Sequence, residues 1–493
     1  MDEFSGKHIT IMGLGLHGGG IASARFFAKA GAEVTVTDLR GAEILSPAIY
    51  ELQGLPIRYV LGRHEKKDFI DADIVIKNPA VRRDSPYLVF AKRIETDISI
   101  FLRYSKSPLI AVTGSKGKST IASAIWHVLL KNNKKALLGG NITVSPLDFL
   151  DETDAEVPVV LEFSSWQLGD LRGTGLLRPL VAVLSDILPD HLNYYDSMEA
   201  YVSDKRVIYE SQDENCWTVC NADQKWGHSF AEETRAHVLW YGERPLEESI
   251  GKSALGGWLM KSKTSLYNPD NFGAFSSSVD LLEGYGKFNI DGPEELLVPS
   301  HVLVPGHHQK KNLLAAAVAA RAFGLRPEDI MSGLASFPGV PHRLEFIGST
   351  RDIRWYNDST ATIPDAAIAA IESYSNPIVL IAGGSDKMSD FSAFAQKARS
   401  LKALILLAGS GTDRLIPILD ANKVPYKGPL FSMHEAVQTA DKQADPGDIV
   451  ILSPGCASFG MFIHEFERGD AFKKEALMLF DQYAKQDSMA QKR

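Results

Sequence analysis

Residues 112–120 read VTGSKGKST, and these residue types at this spacing can hold a nucleoside triphosphate. An apolar strand pattern over 109–112 runs into the segment, and a helical pattern opens near Lys118. Between them Gly114 and Gly117, with Ser115 and Lys116, permit a turn whose backbone N–H groups converge on phosphate oxygens. Lys118 then reaches the β- and γ-phosphates, the Ser119 hydroxyl can ligate magnesium, and Thr120 continues the helix. Val112 stands where the strict phosphate-loop pattern has glycine, so the loop is a shortened variant. The alternative, a solvated Gly/Lys turn, fits the strand-loop-helix context poorly. The chemistry expected is ATP-dependent.

A second glycine motif, Gly13, Gly15 and Gly18, lies between a strand pattern at 8–12 and a helical pattern at 20–30. Asp38 closes the next strand about 20 residues on, as a dinucleotide fingerprint requires. Glycines let the backbone approach a diphosphate seated on a helix amino terminus. The motif does not say which nucleotide. NAD(P), another nucleoside diphosphate and a purely structural turn all stay open, and Arg40 suits a phosphate or a pyrimidine equally.

Further polar groups stand where strands end. Glu162 closes the apolar run 159–163, a natural place for a magnesium carboxylate or for a solvated acid. Asp190 and His191 follow the run 181–185, and Lys205 lies in a helical pattern over 198–210. A structural histidine and a surface lysine are the ordinary readings of the last two. GHHQKKN at 306–312 opens a helix with His308 and Asn312 on one face. Polar loops at Asn357-Asp358-Ser359, at 383–387 and at 453–458 each follow a strand pattern, which argues for a second ligand-binding face.

The elements that carry these groups alternate strand and helix over most of the chain, which predicts an α/β fold built from β-α units. A helix is expected at 309–323, and a final α/β block has strands at 352–356, 377–382, 403–408 and 448–452. Residues 224–303 are richer in Gly, Ser, Asn and Pro and read as a locally elaborated, mostly β region. The tail after Lys485 is polar and is expected to fray. Boundaries near Arg103 and Pro341 divide the chain into 1–103, 104–341 and 342–493.

Composition excludes other classes. With 493 residues, 45% hydrophobic and 23% charged, this is the balance of a soluble multidomain protein. No apolar run is long enough to span a bilayer, and the acidic amino terminus lacks the layout of a signal peptide. A net charge of −9 gives no footprint for nucleic acid. Cys216, Cys220 and Cys456 make no disulfide framework and read as small buried residues. A cytoplasmic enzyme is expected.

GSKGKST, LEFSSWQL, DHLNYYDSMEAYVSDK, PGVPHRLE, NDSTAT, GGSDK and LSPGCASF occur in one order over nearly the whole chain. In that set the chain closely resembles the Mur ligase family, the ATP-dependent ligases of peptidoglycan synthesis. The resemblance implies three domains: a Rossmann-like one for a UDP-sugar, a central ATPase, and a carboxy-terminal α/β domain for an amino acid. It implies addition of glutamate, in first place D-glutamate, to UDP-N-acetylmuramoyl-L-alanine through an acyl phosphate. An L-glutamate-adding variant and another step of the same family stay open, as does the NAD(P)-dependent oxidoreductase of the first glycine motif.

By this resemblance Gly15, Leu16, His17, Asp38, Leu39 and Arg40 hold the UDP-sugar, and Asn141 contacts its muramoyl part. Glu162 and His191 bind two magnesium ions, with Lys205 carrying a carbamate that helps position one. Gln309, Asn312, Arg343 and Asp358 hold ATP and link the central and final domains. Thr362, Lys387, Ser458 and Phe459 surround the incoming glutamate. The family acts on small molecules, usually as monomers. Four positions depart from its pattern: Ala80 for glycine, Gln309 for asparagine, Thr360 for lysine, and Glu465 for an aromatic, with Phe466 one place later.

Overall fold

Apolar, β-branched runs form the strands of three sheets in the computed structural model. It describes every residue except 1, 17, 133–134, 143, 191–193, 262–281, 305, 387–388 and 491–493. The chain divides into two compact units, one of residues 1–260, 284–298 and 311–334, the other of 261–283, 299–310 and 335–493.

The first unit holds two sheets. In the smaller, β1 (His8–Met12), β2 (Glu33–Asp38), β3 (Ile57–Leu61), β4 (Ile74–Lys77) and β5 (Ile94–Glu95) lie in the order β3-β2-β1-β4-β5, all parallel. The order reverses at β1, so a crevice opens beyond the carboxyl ends of β1 and β4, where open α/β sheets bind ligands. Helix Gly19–Lys29 follows β1, one residue earlier than expected at each end. β3, β4 and β5 escaped the sequence reading because they are short and their polar residues interrupt the apolar runs.

The larger sheet contains β6 (Leu109–Thr113), β7 (Leu137–Gly140), β8 (Val159–Glu162), β9 (Val181–Leu184), β10 (Trp217–Asn221), β11 (His237–Gly242), β12 (Gly256–Lys261), β13 (Leu282–Lys287) and β14 (Glu295–Val298). Their order is β14-β13-β12-β11-β10-β9-β6-β8-β7. Neighbours from β7 through β12 pair in parallel, whereas β13 and β14 form an antiparallel pair. β8, β6 and β9 are adjacent, so Glu162, Thr113 and Leu184 end side by side. That order converts residues far apart in sequence into one site. The region 224–303 is less purely β than expected, since helices Lys225–Glu233 and Leu246–Ser249 precede and follow β11.

In the second unit β15 (Glu345–Thr350), β16 (Ile353–Asn357), β17 (Ile378–Gly383), β18 (Ala403–Leu407), β19 (Lys427–Leu430) and β20 (Ile449–Leu452) have the order β15-β16-β20-β17-β18-β19. All pairs are parallel except the antiparallel edge of β15 on β16. β15 went unread because Gly348 and its polar neighbours break the apolar alternation. The last helix, Glu465–Ala490, runs past Lys485 and corrects the expected fraying there. Its sequence after Lys485 has no Gly or Pro and includes helix-forming Gln, Met and Ala.

Candidate functional site

β6 delivers the chain into the loop 114–117, and helix Lys118–Lys131 carries it away. Gly117 has φ 87° and Gly114 φ 147°, both in the left-handed region. A Cβ at Gly114 would strike Ser185 Oγ, and one at Gly117 would strike Asn312 Oδ1. The positive φ favours glycine at both positions, and at Gly114 the Ser185 side chain also leaves no room for a Cβ. Gly117 also brings Asn312, expected to serve ATP, against the loop itself.

The loop is fastened from the strand end beside it. Ser115 N donates to Asp186 O at 2.7 Å and Lys116 N to the same oxygen at 3.3 Å. Ser115 Oγ donates to Leu188 O at 2.9 Å, and Ser185 Oγ donates to Lys116 O at 2.5 Å. Lys118 Nζ donates to Ser115 O at 3.0 Å. Ser119 and Thr120 lie in the first turn of the helix.

Glu162 and Lys205 lie deep beside this loop, each 1% exposed. Asn141 Nδ2 donates to Glu162 Oε1 at 2.8 Å, while Oε2 is buried and has no hydrogen-bond partner among the described residues. A buried carboxylate oxygen without a partner costs free energy unless a cation meets it. Lys205 Nζ donates to Gly114 O at 2.7 Å. Burial, then the neighbouring Lys118 ammonium, push the Lys205 amine well below the ordinary lysine range. The arrangement fits a divalent cation: a hard oxygen donor aimed inward, a loop for triphosphate, and a lysine that burial favours as a neutral amine. Among the described residues no three His, Cys, Asp or Glu side chains gather as a metal cluster. His191 lies outside the described residues.

The first glycine motif is built differently from a ribose-reading site. Asp38 Oδ2 accepts from Leu14 N at 3.0 Å, Gly15 N at 3.3 Å and Arg40 Nη2 at 2.8 Å. Its Oδ1 accepts from Arg40 N at 2.9 Å and Arg40 Nε at 3.1 Å. Five donors fill the roughly four lone-pair positions of a carboxylate, leaving none for a ribose hydroxyl. Burial alone would raise the Asp38 pKa, but the bonds from Arg40 and Gly15 outweigh it and hold the carboxyl below its usual range. Beside this turn is a cavity of about 500 Å³ lined by Asp38, Leu39, Arg40, His64, Ala80 and Tyr87, among others. Leu16 and Leu39 are exposed at 37% and 66%, and His17 is outside the described residues.

In the second unit three loops leave the adjacent ends of β16, β20 and β17 and bind one another. Ser453 Oγ donates to Asp358 Oδ2 at 2.7 Å, Gly455 N to Ala361 O at 2.8 Å, and Ser385 N to Ala457 O at 2.9 Å. Asp358 also accepts from Leu344 N at 3.1 Å. Burial raises its carboxyl to about 7 despite these bonds. Ser458 Oγ is buried without a hydrogen-bond partner among the described residues, Phe459 is 61% exposed, and Thr362 is half-buried in the first loop. Arg343 is exposed, Gln309 is buried, and Lys387 lies outside the described residues.

Two of the four departures are absorbed by local contacts. Thr360 donates through N and Oγ1 to His342 O, at 3.1 and 2.9 Å, tying the loop to the segment before β15. Glu465 opens the last helix, and the Phe466 ring takes the aromatic contact, 5.5 Å from His342. Arg468 went unnoticed in the sequence. It is 0% exposed and donates to Ser359 Oγ at 3.0 Å, Ser359 O at 2.8 Å and Cys456 O at 3.0 Å. The available signal was Gly469 inside a helix: a Cβ there would strike His342 Nδ1. All three cysteines are buried thiols, as expected. No helix among the described residues is long and apolar enough to cross a membrane.

Three α/β blocks with mainly parallel sheets, the second bearing a glycine loop between strand and helix and a buried acid beside it, define the class. The chain belongs to the Mur ligase family, whose members are ATP-dependent amide-bond ligases. The MurD-like N-terminal domain matches residues 7–100, the Mur ligase middle domain 112–320, and the Mur ligase glutamate ligase domain 342–456. Within the family it is similar to the UDP-N-acetylmuramoylalanine–D-glutamate ligase of Treponema pallidum, 40% identical over 97% of this chain and 98% of that one. The protein of the same name from a Roseiflexus species is 39% identical over 96% and 98%. The UDP-N-acetylmuramate–alanine ligase of Thermotoga maritima shares the fold, with TM-score 0.56 and 18% identity over 96% of this chain and 99% of that one.

Proposed function

We propose that the protein joins D-glutamate to UDP-N-acetylmuramoyl-L-alanine, using ATP, in domains spanning 1–103, 104–341 and 342–493. The observation that carries the reading is Glu162, buried with one oxygen that meets no partner among the described residues, beside Lys205 and the loop 114–117.

A carboxylate does not react with an amine at neutral pH, because its carbon is weakly electrophilic and its oxygen leaves poorly. Phosphorylating it with the γ-phosphoryl of ATP gives an acyl phosphate and releases ADP. The glutamate amine then attacks, and the tetrahedral intermediate collapses to amide and phosphate. In this reading Gly114, Ser115, Lys116, Gly117 and Thr120 cradle the triphosphate, and Lys118 neutralises charge building on its oxygens. Gln309, Asn312, Arg343 and Asp358 serve the nucleotide. Gly15, Leu16, His17, Leu39 and Arg40 hold the UDP-sugar, with Asp38 fixing the Gly15 turn and Arg40 for it, and Thr362, Lys387, Ser458 and Phe459 hold glutamate. Asn141 holds Glu162 in place and faces the muramoyl group. Magnesium, which withdraws charge from phosphoryl oxygens, would be held by Ser119, Glu162 and His191, and by Lys205 once its neutral amine has added CO2 and released a proton. The reading carries a cytoplasmic monomer.

The test is phosphate release by purified protein with UDP-N-acetylmuramoyl-L-alanine, ATP and magnesium. Turnover is expected with D-glutamate and not with L-glutamate, and Lys118→Ala abolishes it. Preference for L-glutamate would reassign the amino acid, and no release with either would overturn the reading.

A further inference from the structure

A charge network runs from the rim of the 500 Å³ cavity to the helices that follow Glu162 and carry Lys205. The segment after β4 lines the cavity through Asn78, Ala80, Val81 and Arg82. At its root Lys77, 3% exposed, donates to Val81 O at 2.9 Å and pairs with Asp170 at 2.8 Å. Farther along, Arg83 grips Asp204 through both terminal nitrogens and lies 3.9 Å from Asp170. Asp204, 4% exposed, also accepts from Arg172 at 3.0 Å and from the Tyr195 hydroxyl at 2.9 Å.

The two acids are placed on the elements that bear the buried pair. Asp204 precedes Lys205 on helix Met198–Arg206, and Asp170 lies on helix Ser165–Leu171, which follows β8 and Glu162. The fit is tight: a Cβ on Gly169 would sit 2.5 Å from both Arg83 terminal nitrogens and from Asp204 Oδ2. Lys77, Asp170 and Asp204 are buried while Arg83 and Arg172 are partly exposed, and burying two carboxylates and an ammonium is expensive where apolar residues would commonly stabilise the junction as well. What a bidentate Arg–carboxylate pair adds is a fixed orientation.

We propose that Arg83 is a positioning residue. It sets the distance and orientation between the cavity rim and the helix that carries Lys205, so that the substrate carboxylate arrives in register with the transferred phosphoryl group. This rests on the function proposed above. Arg83 is not among the residues lining the cavity, and its carboxylate partners are Asp204 and Asp170.

Steady-state kinetics of Arg83→Ala and of the isosteric Asp204→Asn test it, normalised to the folded fraction at the assay temperature as read from each variant's thermal unfolding curve. The expected result is a fall in kcat of at least about tenfold, equivalent to about 1.4 kcal/mol, with KM for ATP and for the UDP-sugar within about twofold of wild type. Guanidinium at millimolar concentration is expected to restore part of the Arg83→Ala loss, and Arg83→Lys, which keeps charge but not the fork, to remain impaired. Unchanged kcat in both variants, or a raised UDP-sugar KM with kcat intact, overturns the proposal and leaves the function standing. If wild type itself does not turn over, the function fails and this inference falls with it.

Discussion

Asp358 shows how a single residue couples protonation to folding. Its carboxyl is raised from 3.8 to about 7, mainly by burial, against the lowering effect of Ser453 and the Leu344 N–H. Between these values the unfolded chain has released the proton and the folded chain keeps it. Stability from this group is therefore greatest below about pH 4, falls as pH rises toward 7, and is flat above. Asp358→Asn keeps the shape, and its amide can still accept from Leu344 and donate to Ser453. Denaturant midpoints should show the variant gaining on wild type, by on the order of 2 kcal/mol between pH 5 and pH 8. A constant difference across that range would mean the carboxyl is not raised.

At the scale of elements, strand ends decide which residues meet. The apolar runs that became β6, β8 and β9 were legible because they lie in a sheet covered on both faces, and so were the polar residues that follow them. Lys118, Glu162 and Lys205 were accordingly found from spacing and resemblance. What spacing cannot carry is the adjacency of β8, β6 and β9, or a side chain satisfied across the fold. Asn141 is expected to meet substrate, and spacing gives no sign that its amide also donates to Glu162. Arg468 looks like one more surface charge on the helix Glu465–Ala490, yet it joins the loops after β16 and β20. Arg468→Met leaves Ser359 O, Ser359 Oγ and Cys456 O without their donor. A loss of at least about 3 kcal/mol in urea denaturation is expected. Arg468→Lys should recover little, since one ammonium cannot span Ser359 and Cys456. A methionine variant as stable as wild type would remove Arg468 from any structural role.

Two compact units in one chain give a way to locate nucleotide binding in the whole molecule. Trp126, Trp166, Trp217, Trp226, Trp240 and Trp258 belong to the first unit, and Trp355 alone belongs to the second. With Trp355→Phe, tryptophan fluorescence reports unfolding of the first unit only. A ligand that binds the folded state stabilises it by about 2.7 kcal/mol at a concentration one hundred times its Kd. ATP with magnesium should therefore raise the fluorescence midpoint of the Trp355→Phe protein, and Lys118→Ala should remove most of that rise while leaving the ligand-free midpoint nearly unchanged. The ligand-free midpoint matters because the Lys118 ammonium meets a loop carbonyl, Ser115 O, whose loss a water can replace at this half-buried position. If the rise survives in Lys118→Ala, the triphosphate is held elsewhere, and the loop at 114–117 is a turn that only looks like a phosphate site.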